Sequence, residues 1–230
     1  VSTEDGSPVE VYRRLPPMGE PELLHALAPG GRVLDLGAGT GRIADPLVAL
    51  GHDVLAVDSS AEMLAAVRSA RTHRARIEDL DLAECFDVVL LAGHLVNTPD
   101  AALRRALLST AARHLADGGR VLLQWHEPAW FDRLSPGARL DGAIGPLAST
   151  LEVHDLTDGV LSATVTYRDG DLAWSHAFRA ARLTRERLAA ELRISGLRLA
   201  ASSPAPSWLV ASAARRRRRT GSSSSTSGTA

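Results

Sequence analysis

The chain has 230 residues, 45% of them hydrophobic, a formal net charge of −1 and one cysteine. That length and apolar share suit one α/β domain with small additions, and the near-neutral charge points to neither nucleic acid nor a membrane surface. One cysteine excludes an internal disulfide and a cysteine-based zinc site, and with no signal-peptide core and no long apolar run a cytoplasmic location is expected.

In chain order, residues 1–8 are polar and expected to be loose, and a helical pattern over 21–28 runs into the breaker Pro29-Gly30-Gly31. Apolar strands then alternate with helical patterns. A strand is expected over 32–36, a helix over 42–50, a strand over 53–57, and a helix over 61–71 with Ser60 as its N-cap. A weak strand over 75–78 follows. Cys85 is expected to be small and partly buried ahead of a strand over 87–91. A long helix over 101–115 is ended by Asp117-Gly118-Gly119, and a strand covers 120–125. Near-continuous apolar strands separated by helices imply a parallel sheet covered on both faces, and right-handed crossovers leave chiefly doubly wound topologies.

The remainder changes character. Three runs, 151–156, 160–168 and 172–180, are joined by the tight turns Thr157-Asp158-Gly159 and Asp169-Gly170, which make antiparallel neighbours. Thr184 caps a helix to about residue 194, and strands over 197–201 and 208–213 close the pattern. The five arginines 215–219 and the Ser-rich sequence after them are expected to be a disordered tail from 214 to 230. The expected organisation is an N-terminal segment over 1–29 and a main domain over 30–213, with an antiparallel β insertion at about 147–181.

The chemistry is concentrated in Val33-Leu34-Asp35-Leu36-Gly37-Ala38-Gly39-Thr40-Gly41-Arg42. A strand enters a Gly-x-Gly-x-Gly turn that opens a helix, where glycines permit positive φ and let a ligand approach the backbone. A P-loop is excluded because no Gly-Lys-Ser/Thr follows. A dinucleotide fingerprint is disfavoured because Gly41 comes one residue too early and Arg42 stands where the third glycine would fall. Asp35, just ahead of the glycines, would repel a pyrophosphate but suits a ligand bearing an ammonium and a sulfonium. Asp58, at the end of the second strand, can offer its two oxygens to the hydroxyls of a ribose, or serve as a helix N-terminal acid.

These residues resemble the class I S-adenosylmethionine-dependent methyltransferases, well over about 30–126 and loosely to 213. Residues 33–41 match that family's first motif, and Asp58 its ribose-binding acid. Ser59-Ser60-Ala61-Glu62-Met63-Leu64 matches the segment whose Met or Leu lies against the adenine. Arg76-Ile77-Glu78-Asp79-Leu80 falls where the family binds the adenine edge, with Arg76 where an acid is common. Phe86 to Leu91 and Gly118 to Leu123 match the fourth-strand and fifth-strand motifs. The resemblance implies a Rossmann-like, mostly parallel seven-stranded sheet with its last strand antiparallel, and S-adenosylmethionine as cofactor. It places the cofactor on Asp35, Gly37, Ala38, Gly39, Asp58, Ser59, Met63, Ile77, Glu78, Ala92 and Gly93.

Methyl transfer is an in-line displacement that relies on positioning and exclusion of water, with a base needed only for a protonated nucleophile. His94, after the fourth strand, and His126, after the fifth, are the candidate catalytic bases; each can equally shape the pocket. Tyr12 and Glu127 are candidates for substrate contact, and Trp125, Trp130 and Trp174 for an apolar wall or the core. Metal binding is not expected, because the histidines lie on separate elements without ligand spacing. The leading expectation is methylation of a small molecule, with neither nucleic acid nor membrane as partner. The alternatives are a cofactor-binding regulatory protein without turnover and a nicotinamide oxidoreductase.

Overall fold

The computed structural model describes residues 2, 3 and 6–214. The chain opens with two short helices, α1 (Val9–Arg14) and α2 (Glu20–Leu27). β1 (Arg32–Leu36), α3 (Ala44–Ala49), β2 (Asp53–Asp58), α4 (Ala61–Leu64) and β3 (Arg71–Arg74) form its first half-sheet. β4 (Phe86–Leu91), α5 (Ala101–Arg113) and β5 (Leu115–Gln124) extend it. After α6 (Pro128–Phe131) comes a four-stranded insertion of β6 (Arg139–Ile144), β7 (Leu147–Thr157), β8 (Val160–Asp169) and β9 (Leu172–Ala181). α7 (Arg185–Ile194), β10 (Leu197–Leu199) and β11 (Trp208–Ala213) complete the domain.

The main sheet has seven strands in the order β10-β11-β5-β4-β1-β2-β3. β1, β2, β3, β4 and β5 pair in parallel, and β11 inserts antiparallel between β5 and β10. The expected doubly wound sheet with one antiparallel strand is therefore present. Its central strands are buried on both faces, which is why they read as unbroken apolar runs. Leu34, Leu36, Val89, Leu91, Val121 and Leu123 point to one side, where α5 and α7 cover them with Leu107, Leu108, Leu188 and Leu192. Val33, Val54, Val88, Leu90 and Leu122 point to the other, against Leu24 of α2 and Leu47 of α3. On the first side a buried ion pair joins α5 to α7, with Arg104 Nε 2.6 Å from Glu191 Oε2 and Nη2 3.0 Å from Oε1.

Several elements depart from expectation. α1 lies in sequence not assigned to any element; six residues are too few for a helical period, and the buried Val9 and Val11 fix it by packing. The helix expected over 61–71 stops at Leu64. Asp45 captures the backbone N–H groups of Arg68, Ser69 and Ala70 at 2.8–3.2 Å and draws the chain out. The third strand accordingly lies at 71–74 rather than 75–78, as an exposed edge. Asp117-Gly118-Gly119 does not follow a helix into a turn but sits inside β5, where a Cβ on Gly119 would collide with the Asp87 carbonyl. The insertion carries a fourth strand, β6, ahead of the expected span. Cys85 is exposed rather than partly buried. The expected disordered tail, beyond its first residue Ala214, lies outside the described residues.

The insertion turns one face inward. Leu161, Ala163, Val165 and Tyr167 alternate along β8 as its buried positions. The first two pack with Phe131 and Leu134, the last two with Val11 and Leu147. The insertion thus holds α1 and α6, which flank the carboxyl ends of the central strands.

Candidate active site

A cavity of about 490 Å³ opens at the carboxyl ends of β1, β2 and β4, the side on which open α/β sheets receive ligands. Its floor is the turn after β1. Gly37 and Gly39 adopt φ of 77° and 56°, which side chains disfavour. Gly37 and Ala38 donate their N–H groups to the Val57 carbonyl at 2.8 and 2.9 Å, which pins the turn to the end of β2. Asp58 completes the attachment: Oδ2 accepts Gly39 N–H at 2.8 Å and Oδ1 accepts Ser60 N–H at 2.9 Å. Ser60 then caps α4 by accepting Met63 N–H at 3.2 Å. A Cβ on Gly39 would meet only Met63 Sδ, at 3.9 Å, so the missing side chain leaves open space facing the Met63 thioether.

Asp35 lines the same cavity from β1 and is 1% exposed. Neither carboxylate oxygen has a hydrogen-bond partner. Burial pushes its pKa up to about 7; Arg42 opposes the rise, and Asp58 and Glu20 add to it. Arg42 is itself held at 2.7 Å by the buried Glu20.

The eleven residues expected to hold the cofactor gather on this cavity. Asp35, Gly37, Ala38 and Gly39 come from β1 and its turn, Asp58, Ser59 and Met63 from β2 and α4. Ile77 and Glu78 come from the turn after β3, Ala92 and Gly93 from the end of β4. Tyr12 lines it from α1. Thr3, Ser7, Thr40, Arg42 and Ile43 also line it and were not singled out from sequence. Arg42 and Ile43 directly follow the glycine turn, a readable cue; Thr3 and Ser7 arrive only by tertiary folding. Arg76 lines the cavity too and turns onto Glu78, Nε to Oε1 at 2.8 Å.

The remaining candidates lie outside the cavity lining. His94, in a left-handed conformation with φ 59°, stacks on His126 with ring centroids 3.6 Å apart, and His126 stacks on Trp130 at 3.9 Å. Burial lowers His94 to about 4, and burial together with the His94 charge lowers His126 to about 3, so both are neutral at pH 7. Glu127 N-caps α6 without a side-chain cap bond. Asn97, buried, ties these loops together: Oδ1 accepts His126 N–H at 2.8 Å, while Nδ2 donates to the His126 carbonyl at 3.2 Å and the Ala181 carbonyl at 2.9 Å. Trp125 lies in the core, and Trp174 packs beside α1 beneath Arg14. Among the described residues no three His, Cys, Asp or Glu side chains gather as around a metal ion, and no helix is long and apolar enough to cross a membrane.

Residues 33–119 match the family model described as methyltransferase domain. Over those residues the chain is similar to methyltransferase domains. It is 38% identical over 135 residues to an uncharacterized methyltransferase of Mycobacterium tuberculosis, covering 55% of this chain and 53% of the relative. The chain spans about half the length of the curated relatives it matches. Among solved structures it is similar to the CcbJ methyltransferase from Streptomyces caelestis, at 25% identity with a TM-score of 0.71 over 87% of this chain and 91% of that one. The fold is shared also with a SAM-bound amino pentose methyltransferase from Micromonospora echinaspora, at 22% identity, a TM-score of 0.65 and coverage of 90% and 92%.

The cavity suits S-adenosylmethionine chemically. It offers an unpartnered buried carboxylate for a cation, a glycine cradle that a Cβ would fill, and a thioether that can lie on an aromatic ring.

Proposed function

We propose that this protein transfers the methyl group of S-adenosylmethionine to a small-molecule acceptor by in-line displacement. The observation that carries the reading is the unpartnered Asp35 carboxylate beside a glycine turn pinned by Asp58, in one cavity at the carboxyl edge of the sheet. The bound cofactor supplies a methyl group already activated by its sulfonium. In this reading Asp58 holds the ribose hydroxyls, Met63 and Ile77 lie on the adenine, and Ser59 and Glu78 line its edge. Gly37, Ala38 and Gly39 let the methionyl chain pass along the backbone, Asp35 faces its ammonium, and Ala92 and Gly93 border the methyl position. Residues 1–29 act as a cap over a domain of 30–213, with Tyr12 at the cavity mouth. The insertion holds α1 and α6 at the carboxyl edge of the sheet, where the His94–His126–Trp130 stack and Glu127 are the side chains placed to meet a small acceptor.

With both histidines neutral and weak as bases, positioning and exclusion of water carry most of the rate, and an acceptor that arrives deprotonated needs no base. The test is calorimetric binding of S-adenosylhomocysteine followed by turnover with a panel of amines, phenols and carboxylic acids. Cofactor-dependent methylated product supports the reading; NADH binding without S-adenosylhomocysteine binding overturns it. A second reading, a cofactor-binding regulatory protein without turnover, is favoured by one observation: both histidines stand outside the cavity lining with depressed proton affinity. Tight cofactor binding with no product from any acceptor class would select it.

A further inference from the structure

A second cavity, of about 630 Å³, adjoins the first and shares Tyr12, Thr40 and Arg42 with it. Its walls come from α1, from α3 and from the stretch 65–69 after α4. Three guanidinium groups from separate parts of the chain line it: Arg13 of α1, Arg42 just after the glycine turn, and Arg68. The acids around them are engaged elsewhere. Asp45 of α3 gives both oxygens to the backbone N–H groups of Arg68, Ser69 and Ala70 at 2.8–3.2 Å, which also fixes where Arg68 stands. Glu20 holds Arg42 at 2.7 Å, but its side chain is 2% exposed and outside the lining, whereas Arg42 is 15% exposed; the cavity meets the guanidinium. Glu10 pairs with Arg13 at 2.9 Å in an exposed contact that contributes little. Arg68 joins none of the ion pairs among the described residues.

We propose that this second cavity binds a small phosphorylated molecule, and that its occupant clamps α1 onto the glycine turn. Guanidinium forks match phosphate oxygens in pairs, and several of them together favour a multiply charged anion over a single carboxylate. The volume is larger than a bare phosphate needs and falls in the range of small-molecule sites; Leu15, Pro46, Ala65 and Ala66 offer apolar surface to the organic part. An anion here bridges Arg13 on α1 to Arg42 beside the turn and to Arg68 beyond α4. It reinforces the tie already made by Thr40 Oγ1, which donates to the Tyr12 carbonyl at 2.9 Å. Tyr12 lines both cavities, so an occupant that holds α1 in place favours the arrangement that binds in the first. The clamp, though not the anion site, rests on reading the first cavity as a methyl-donor site. The two ligands then strengthen each other by the same factor.

The test is isothermal titration of the full chain with inorganic pyrophosphate at constant ionic strength, with and without S-adenosylhomocysteine. Pyrophosphate should bind saturably, and the double variant Arg13→Gln with Arg68→Gln should weaken it at least about tenfold. The same variant should bind S-adenosylhomocysteine as the native protein does when pyrophosphate is absent, which also shows that it is folded. In the native protein saturating pyrophosphate should tighten S-adenosylhomocysteine severalfold. No saturable binding overturns the proposal. So does binding undiminished in the double variant, which would place the anion elsewhere, the five arginines 215–219 being the first alternative. Affinities independent of each other refute the clamp. If the double variant loses S-adenosylhomocysteine as well, Arg68→Gln alone, at an exposed residue outside the ion pairs, decides by the same measure. Failure of S-adenosylhomocysteine to bind the native protein overturns the donor-site reading and the clamp with it, while the pyrophosphate titration still decides the anion site.

Discussion

The Asp58 carboxylate accepts Gly39 N–H through one oxygen and Ser60 N–H through the other, so each oxygen keeps a lone pair for a ribose hydroxyl. Asp58→Ala should therefore lower S-adenosylhomocysteine affinity at least tenfold, since each charge-assisted bond contributes about 1.5–3 kcal/mol. Isothermal titration checks this, and unchanged affinity would remove Asp58 from the site. Sequence showed the acid and its place at a strand end, but not that it also fastens the glycine turn, because that depends on how β1 and β2 lie side by side. Asp35 shows the opposite balance of stability and function. Its folded pKa of about 7 stands above the ordinary 3.8, so the empty fold binds an extra proton between these values. The sign follows: the Asp35 contribution to stability falls as pH rises from 4 through 7, by roughly 4 kcal/mol in all. Asp35→Asn should raise the melting temperature of the unliganded protein by several degrees at pH 8 and leave it nearly unchanged at pH 4. A melting temperature that drops at pH 8 would show that the carboxylate has a stabilising partner.

At the scale of elements, legibility follows burial. β1, β2 and β4 were readable because both faces are covered and every position past the first one or two is apolar or chemical. β3 was misplaced because its four residues, Arg71-Thr72-His73-Arg74, are all exposed and carry no pattern. The exposed edge β6 was missed for the same reason. α4 was overextended because helical propensity past Leu64 yields to a tertiary partner, Asp45. Asn97 belongs to this class of hidden determinants. Its amide mimics a strand neighbour for His126, two residues past the last β5 residue paired with β11, and reaches the last residue of β9. Asn97→Ala leaves His126 N–H and two carbonyls unpaired in a buried place, a loss on the order of 3 kcal/mol. Chemical denaturation should show that loss, and Trp130 fluorescence should change as the stack with His126 loosens. A variant with native stability and native emission would show that water replaces the amide freely.

Across the whole molecule the N-terminal segment is held between the glycine turn, which floors the cavity, and the insertion sheet. Thr40 Oγ1 donates to the Tyr12 carbonyl at 2.9 Å, and Arg42 Nη1 to the Pro16 carbonyl at 3.3 Å, so the turn holds the segment from below. From above, Arg14 pairs with Asp169 at 3.1 Å and lies over the Trp174 ring, while Val11 is fully buried with Leu147 and Tyr167. The exposed ion pair adds at most about 1 kcal/mol, whereas a fully buried valine contributes about 1.5–3 kcal/mol. Apolar packing of Val11, rather than charge, is what keeps Tyr12, Ser7 and Thr3 over the cavity. Val11→Ala should accordingly weaken S-adenosylhomocysteine binding severalfold, and Arg14→Ala should weaken it little. The large core clusters on the two faces of the main sheet contain no residue of α1, so a single main thermal transition should persist in both variants. The comparison of the two affinities decides the point. Equal loss would assign the hold to the Arg14–Asp169–Trp174 contact, and no loss in either would mean that the segment covers the cavity without contributing to the bound state.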